Sequence, residues 1–115
     1  MISLSKKFQK TINNKINFEG VGLHSGLQSK LTLHPAPVNY GINFIINDTI
    51  IPANSNYVNS TLRSTNLLKN NNSIMTVEHL LSALYALEVD NLKIEVSECE
   101  IPILDGTSEI FFDKI

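Results

Sequence analysis

The sequence predicts an α+β fold: a two-layer sandwich in which a mostly antiparallel sheet is covered by helices on one face. Three observations carry that expectation. Apolar and polar residues alternate through the first half of the chain, the period becomes helical from Thr76, and alternation returns once before a second short helical stretch. The 115 residues suffice for one hydrophobic core, and 43% hydrophobic with 17% charged residues is a globular composition. Residues 1–115 are therefore read as a single domain.

The elements follow in order. Ile12, Ile16 and Phe18 alternate with polar neighbours, Leu31 and Leu33 stand among Lys30, Thr32 and His34, and Ile42, Phe44 and Ile46 continue the pattern. Strands of this period rest one face on a core. Turn chemistry separates them at Gly20-Val21-Gly22-Leu23-His24-Ser25-Gly26, at Pro35-Ala36-Pro37 and at Asn47-Asp48-Thr49. Lys69-Asn70-Asn71-Asn72-Ser73 reads as a polar, exposed loop. Val77, Leu80, Leu81, Leu84 and Leu87 then form one helical stripe, with Thr76 as the N-cap whose hydroxyl accepts from a free first-turn amide. Val89-Asp90-Asn91 ends this helix, and Leu92, Ile94 and Val96 alternate as a strand. A shorter helix begins near Thr107, with Ile110, Phe111 and Ile115 as its apolar positions.

Charge and composition narrow the function classes. A net charge of -2, with no basic cluster beyond Lys6-Lys7, lacks the footprint of a nucleic-acid binder. An RNA-binding α+β domain, which would share this topology, is disfavoured on the same ground. Cys99 is the single cysteine, so no internal disulfide forms, in weak agreement with a reducing compartment. No apolar run reaches membrane-span length, and the first residues lack a secretory hydrophobic segment. The expected location is the cytoplasm. A plastid or other organelle is the alternative, because heavy use of Asn, Ile and Lys accompanies AT-rich genomes.

The acid–imidazole pair Glu78-His79 is the chain's one chemical suggestion. Neighbouring helical residues point about 100° apart, so the two do not easily chelate one ion together. They can flank it, the imidazole binding a metal and the carboxylate reaching water, as a zinc hydrolase requires. A helix start also favours a neutral imidazole and an ionised carboxylate. By spacing alone, such a pair is more often solvated or cap-associated than catalytic. Of the other possible ligands, His34 reads as a surface residue and Cys99 as a small filler or surface thiol. His24, in its glycine-rich turn, is open to both structural and functional readings.

Five motifs in one order and spacing extend this reading: Gly20 to Gly26, Leu33-His34-Pro35-Ala36-Pro37, Thr76 to Ala83, Asp90-Asn91, and Glu100 to Thr107. Together they resemble the N-terminal domain of UDP-3-O-acyl-N-acetylglucosamine deacetylase, the zinc amidase of lipid A biosynthesis, from about Lys10 onward. The resemblance implies two similar sheet-and-helix domains with the active site between them. It implies hydrolysis of an acylated UDP-sugar at its N-acetyl group, releasing acetate. His79 corresponds to a zinc ligand and Glu78 to the general base. The stretch Ser60-Thr61-Leu62-Arg63-Ser64-Thr65 matches a segment lining the substrate passage, with Thr61, Leu62, Arg63 and Ser64 as its site candidates, and His24 and Asp105 match positions with supporting roles. In that family a second domain supplies two further ligands from a His-x-x-x-Asp segment and a histidine acting as acid. No His-x-x-x-Asp occurs in this sequence. The expected partners are thus the acylated UDP-glucosamine substrate and a complementary second domain or chain. The 115 residues alone are expected to be inactive. The alternative is a non-catalytic remnant or interaction module.

Overall fold

The computed structural model describes residues 8–58, 65–104 and 106–115. Its elements are β1 (Ile16–Val21), β2 (Gln28–Pro35), β3 (Ile42–Ile46), β4 (Thr49–Pro52), a 3-10 turn (Ser55–Tyr57), β5 (Leu67–Lys69), β6 (Asn72–Ile74), α1 (Glu78–Ala86), β7 (Leu92–Val96) and α2 (Glu109–Lys114). Five strands make one sheet in the order β1-β2-β7-β3-β4, while β5 and β6 pair separately. All neighbours in the large sheet are antiparallel except β3 and β7. A parallel pair needs a crossover, and the connection from β3 to β7 contains α1. The α+β class expected from the alternating and helical periods is therefore the one observed.

Register turns the sequence pattern into a core. Leu31 lies opposite Phe18 and Val96, Ile94 opposite Leu33 and Phe44, and Phe44 opposite Ile51. All of these side chains are buried, and Leu80, Ala83 and Leu84 of α1 and Phe111 of α2 join the same cluster. Each large apolar side chain removed from water in this way contributes about 1.5–3 kcal/mol. Phe18 and Phe111 meet edge-on at 5.0 Å between centroids, tying α2 to β1. The other parity of the strands carries Glu19, Lys30, Thr32, His34 and Glu95, which keeps that face polar.

Four boundaries differ from expectation. Lys69 to Ser73 is a hairpin rather than a loop: Asn70 and Asn71 both take positive φ, 50° and 66°, as a two-residue turn between β5 and β6. Asparagine tolerates that conformation, so the same residues that look like a loop make a tight turn. Helix α1 closes at Ala86, before Val89. Glu88 is left-handed at φ 57°, the Glu88 amide donates to Tyr85, and the Val89 amide donates back to Leu84. This is a Schellman closure without glycine. At the other end Thr76 is not the N-cap; Val77 is, and no side chain caps the helix. Ile12 is buried as its pattern suggests, but β1 begins only at Ile16.

The segment before β1 is fastened at Asn91. The carbonyl of Lys10 accepts from the amides of Asp90 and Asn91 at 2.9 and 3.1 Å, and the Asn91 side chain bridges Gln9 and the Gly41 amide. The Asp90-Asn91 motif thus serves packing.

Both margins of the sheet are blunted. On β4, Lys69 Nζ donates to the Ile50 carbonyl at 3.0 Å, and Pro52 has no amide hydrogen to offer. On β1, Lys114 Nζ donates to the Asn17 carbonyl at 3.2 Å, and the Ile103 amide donates to Val21 at 2.9 Å. Among the described residues, no helix is long and apolar enough to cross a membrane.

Candidate active site at the start of helix α1

Residue Met75 leads into the site through a parallel bridge to Glu100. Its amide donates to Cys99 at 2.7 Å and its carbonyl accepts from Ile101 at 3.1 Å. The next residue, Thr76, adopts φ 63°. For a β-branched side chain this is a strained conformation, costing on the order of 1–3 kcal/mol, and it persists only where the surroundings hold it. Here they do. The Thr76 amide donates to Asn66 Oδ1 at 3.2 Å and its hydroxyl donates to Glu100 Oε2 at 2.5 Å. That bond explains the missing N-cap, because the hydroxyl is committed to a buried carboxylate and the backbone is outside the region a cap requires.

Glu100 has no solvent exposure. Its carboxylate also accepts from the Ser25 amide at 2.7 Å and from the His24 amide at 3.0 and 3.1 Å. Successive backbone amides converging on one anion form a nest. The turn presenting them is closed by Gly26 N–H to the Gly22 carbonyl and by Gly22 N–H to the Leu27 carbonyl, each 3.0 Å. A Cβ at Gly22 would stand 2.4 Å from Glu100 Oε1 and 2.5 Å from Ser25 Oγ, so a larger residue there would have to push the bound carboxylate aside. Burial pushes the Glu100 carboxyl up, but the hydrogen bonds from Thr76, Ser25 and His24 outweigh it and hold the group below its ordinary value of 4.5. The junction is built around a carboxylate.

Glu78 and His79 occupy the first turn of α1, both half-buried. Glu78 Oε1 accepts from the Thr65 amide at 3.1 Å, and the Thr65 carbonyl accepts from the Val77 amide at 3.0 Å. This reciprocal clasp orients one carboxylate oxygen; the other has no partner among the described residues. The His79 ring likewise has no hydrogen-bond partner among them. His24 is joined to the same network through its backbone, while its side chain is exposed. His34 lies on the polar face of the sheet, paired with Glu95, so it stands apart from the site. Cys99 is half-buried with a free thiol and contributes its carbonyl to the Met75 bridge. Thr61, Leu62, Arg63, Ser64 and Asp105 lie outside the described residues.

The donor set bears on zinc. Among the described residues, no three of His, Cys, Asp and Glu converge as a metal site. His79 offers one nitrogen, whereas a catalytic zinc takes three protein ligands. These residues therefore do not make a complete centre.

Glu100 and Asn66 were not expected as site residues, and Thr65 was expected only as the end of the passage-lining segment, not as the partner that orients Glu78. For Glu100 a signal existed. The even-numbered alternation Leu92, Ile94, Val96, carried two steps further, puts position 100 on the inner parity. A glutamate there requires buried donors. Thr65 and Asn66 offer no comparable signal, since their roles rest on backbone and amide geometry.

Comparison with known proteins gives the same direction as the motifs. The family model described as UDP-3-O-acyl N-acetylglycosamine deacetylase matches residues 9–115. A UDP-3-O-acyl-N-acetylglucosamine deacetylase from Aquifex aeolicus (strain VF5) is 47% identical over 107 residues, covering 93% of this chain and 38% of that protein. Its namesake from Hahella chejuensis is 49% identical over 107 residues, covering 90% and 35%. Another from Chlamydia muridarum is 46% identical over 110 residues, covering 93% and 38%. The chain thus spans 35–38% of the length of these relatives.

Proposed function

The chain belongs to the UDP-3-O-acyl N-acetylglycosamine deacetylase family, and from that premise we propose that it carries the general-base portion of a deacetylase site. The reaction is hydrolysis of the acetamide on the glucosamine nitrogen of an acylated UDP-sugar, as a step of lipid A biosynthesis. Water adds to the acetyl carbon while one of its protons passes to Glu78. The carbon–nitrogen bond then breaks, the departing nitrogen takes a proton from the histidine acid expected of the complementary second domain, Glu78 releases its proton to solvent, and acetate and the free amine remain.

One observation supports this assignment above the others. Among the described residues, the Glu78 carboxylate is oriented by the Thr65 amide through a single oxygen, at the mouth of a helix and next in sequence to an imidazole without a hydrogen-bond partner. A base must be held and yet keep a lone pair for substrate water. His79 is proposed as one zinc ligand, with the remaining ligands supplied from outside the described residues, in a complementary second domain or chain. Thr61, Leu62, Arg63 and Ser64 immediately precede the clasped Thr65 and are proposed to line the substrate passage beside Glu78. His24 and Asp105 are assigned supporting roles. The cytoplasm is the proposed location.

The test is Glu78→Gln in an enzyme assembled from this sequence and the remaining length its relatives possess, followed by acetate release. Turnover should fall by a factor of about 100 to 10,000 if the carboxylate is the base. Undiminished turnover removes Glu78 from that role, and an inactive wild-type assembly removes the deacetylase reading itself.

A further inference from the structure

We infer that Glu100 is a positioning residue whose buried carboxylate, by holding Thr76 and the Gly22–Gly26 turn together, sets where Glu78 and His79 stand. The catalytic part of this inference rests on the deacetylase reading; the structural part does not.

Glu100 connects segments 24 and 76 residues away, to Thr76 and to His24. Its bonds are charge-assisted and therefore stronger than the neutral Asn66 contact on the other side of Thr76. Thr76 lies two residues before Glu78 and holds the left-handed backbone that turns the chain into α1. Were Thr76 to relax to negative φ, the direction in which the helix leaves the Met75 bridge would change. The Thr65 clasp on Val77 and Glu78 would then lose its register. The Gly22–Gly26 turn answers to the same anion, because without it the amides of His24 and Ser25 are left with no acceptor. The loop carrying His24 and the helix carrying Glu78 are thus referenced to one pair of oxygens.

The Thr65 amide reports the position of Glu78 directly, so its hydrogen exchange on this chain is the first readout. Glu100→Gln and the milder Thr76→Val should speed Thr65 exchange by about tenfold or more, while amides of β2 and β7 keep their protection and Thr76→Ser stays near wild type. In the assembled enzyme the first two variants should lower kcat by about tenfold with KM unchanged, and Thr76→Ser should restore it. Unchanged Thr65 exchange overturns the inference. So does faster exchange by one common factor throughout β2, β7 and Thr65, which would mark Glu100 as a stabiliser only. An active wild-type enzyme whose kcat is indifferent to Glu100→Gln overturns its catalytic consequence. An inactive wild-type enzyme with the Thr65 effect intact supports the positioning and overturns the deacetylase reading instead.

Discussion

At the middle of the sheet, Leu33 and Ile94 face one another with no solvent exposure; at the junction before α1, Glu100 is buried just as completely. The first region is held by non-directional apolar packing, so what matters there is volume. The second is held by three groups of donors aimed at one anion, so what matters is polarity and charge. Burial alone does not say which kind of constraint a position carries. Two side chains with the same exposure answer differently to the same size of change.

Substitutions can sharpen or break that distinction. The largest effect is expected in the apolar region: Phe44→Ala deletes a fully buried ring and should cost about 3–5 kcal/mol in chemical denaturation. A loss under about 1 kcal/mol would mean the sheet's inner face is not the load-sharing core described. The next comparison keeps size and changes chemistry. Leu33→Met should cost less than about 1.5 kcal/mol. Glu100→Gln should cost about 1–3 kcal/mol, because its amide hydrogens meet donors where a carboxylate met them. Equal costs for the two would erase the contrast. The smallest effect is in pH dependence. Glu100 titrates below its ordinary value of 4.5 when folded, so the unfolded chain binds its proton first as acid is added. Its contribution is complete above that value and is lost as pH falls through the lower folded value. The difference in stability between wild type and Glu100→Gln should therefore narrow below about pH 4.5. A gap that stays constant from neutrality into acid would show that the charge contributes nothing.

The same division explains what could be seen in the sequence. Apolar regions announce themselves by period: Leu31 and Leu33, Phe44 and Ile46, Leu92 to Val96 and the α1 stripe were all legible, because position along the element fixes which face a side chain takes. Pairing was less legible, since nothing in β3 or β7 says that they run parallel. The β5–β6 hairpin escaped because strands of three residues are too short to show alternation. Thr76 was placed at the right junction with the wrong partner, because the sequence rule for caps is local and the competing acceptor sits 24 residues away. Glu78 and His79 were legible as a pair, while the contacts that orient Glu78 come from the backbone of Thr65 and could not be. Directional networks leave little trace in periodicity.

The lysines at the sheet's margins have a consequence for growth. With Lys69 on the Ile50 carbonyl and Lys114 on the Asn17 carbonyl, lateral addition of a further strand must first displace an ammonium at either border. Enlargement of this unit is thereby steered away from ribbon-like stacking along the sheet.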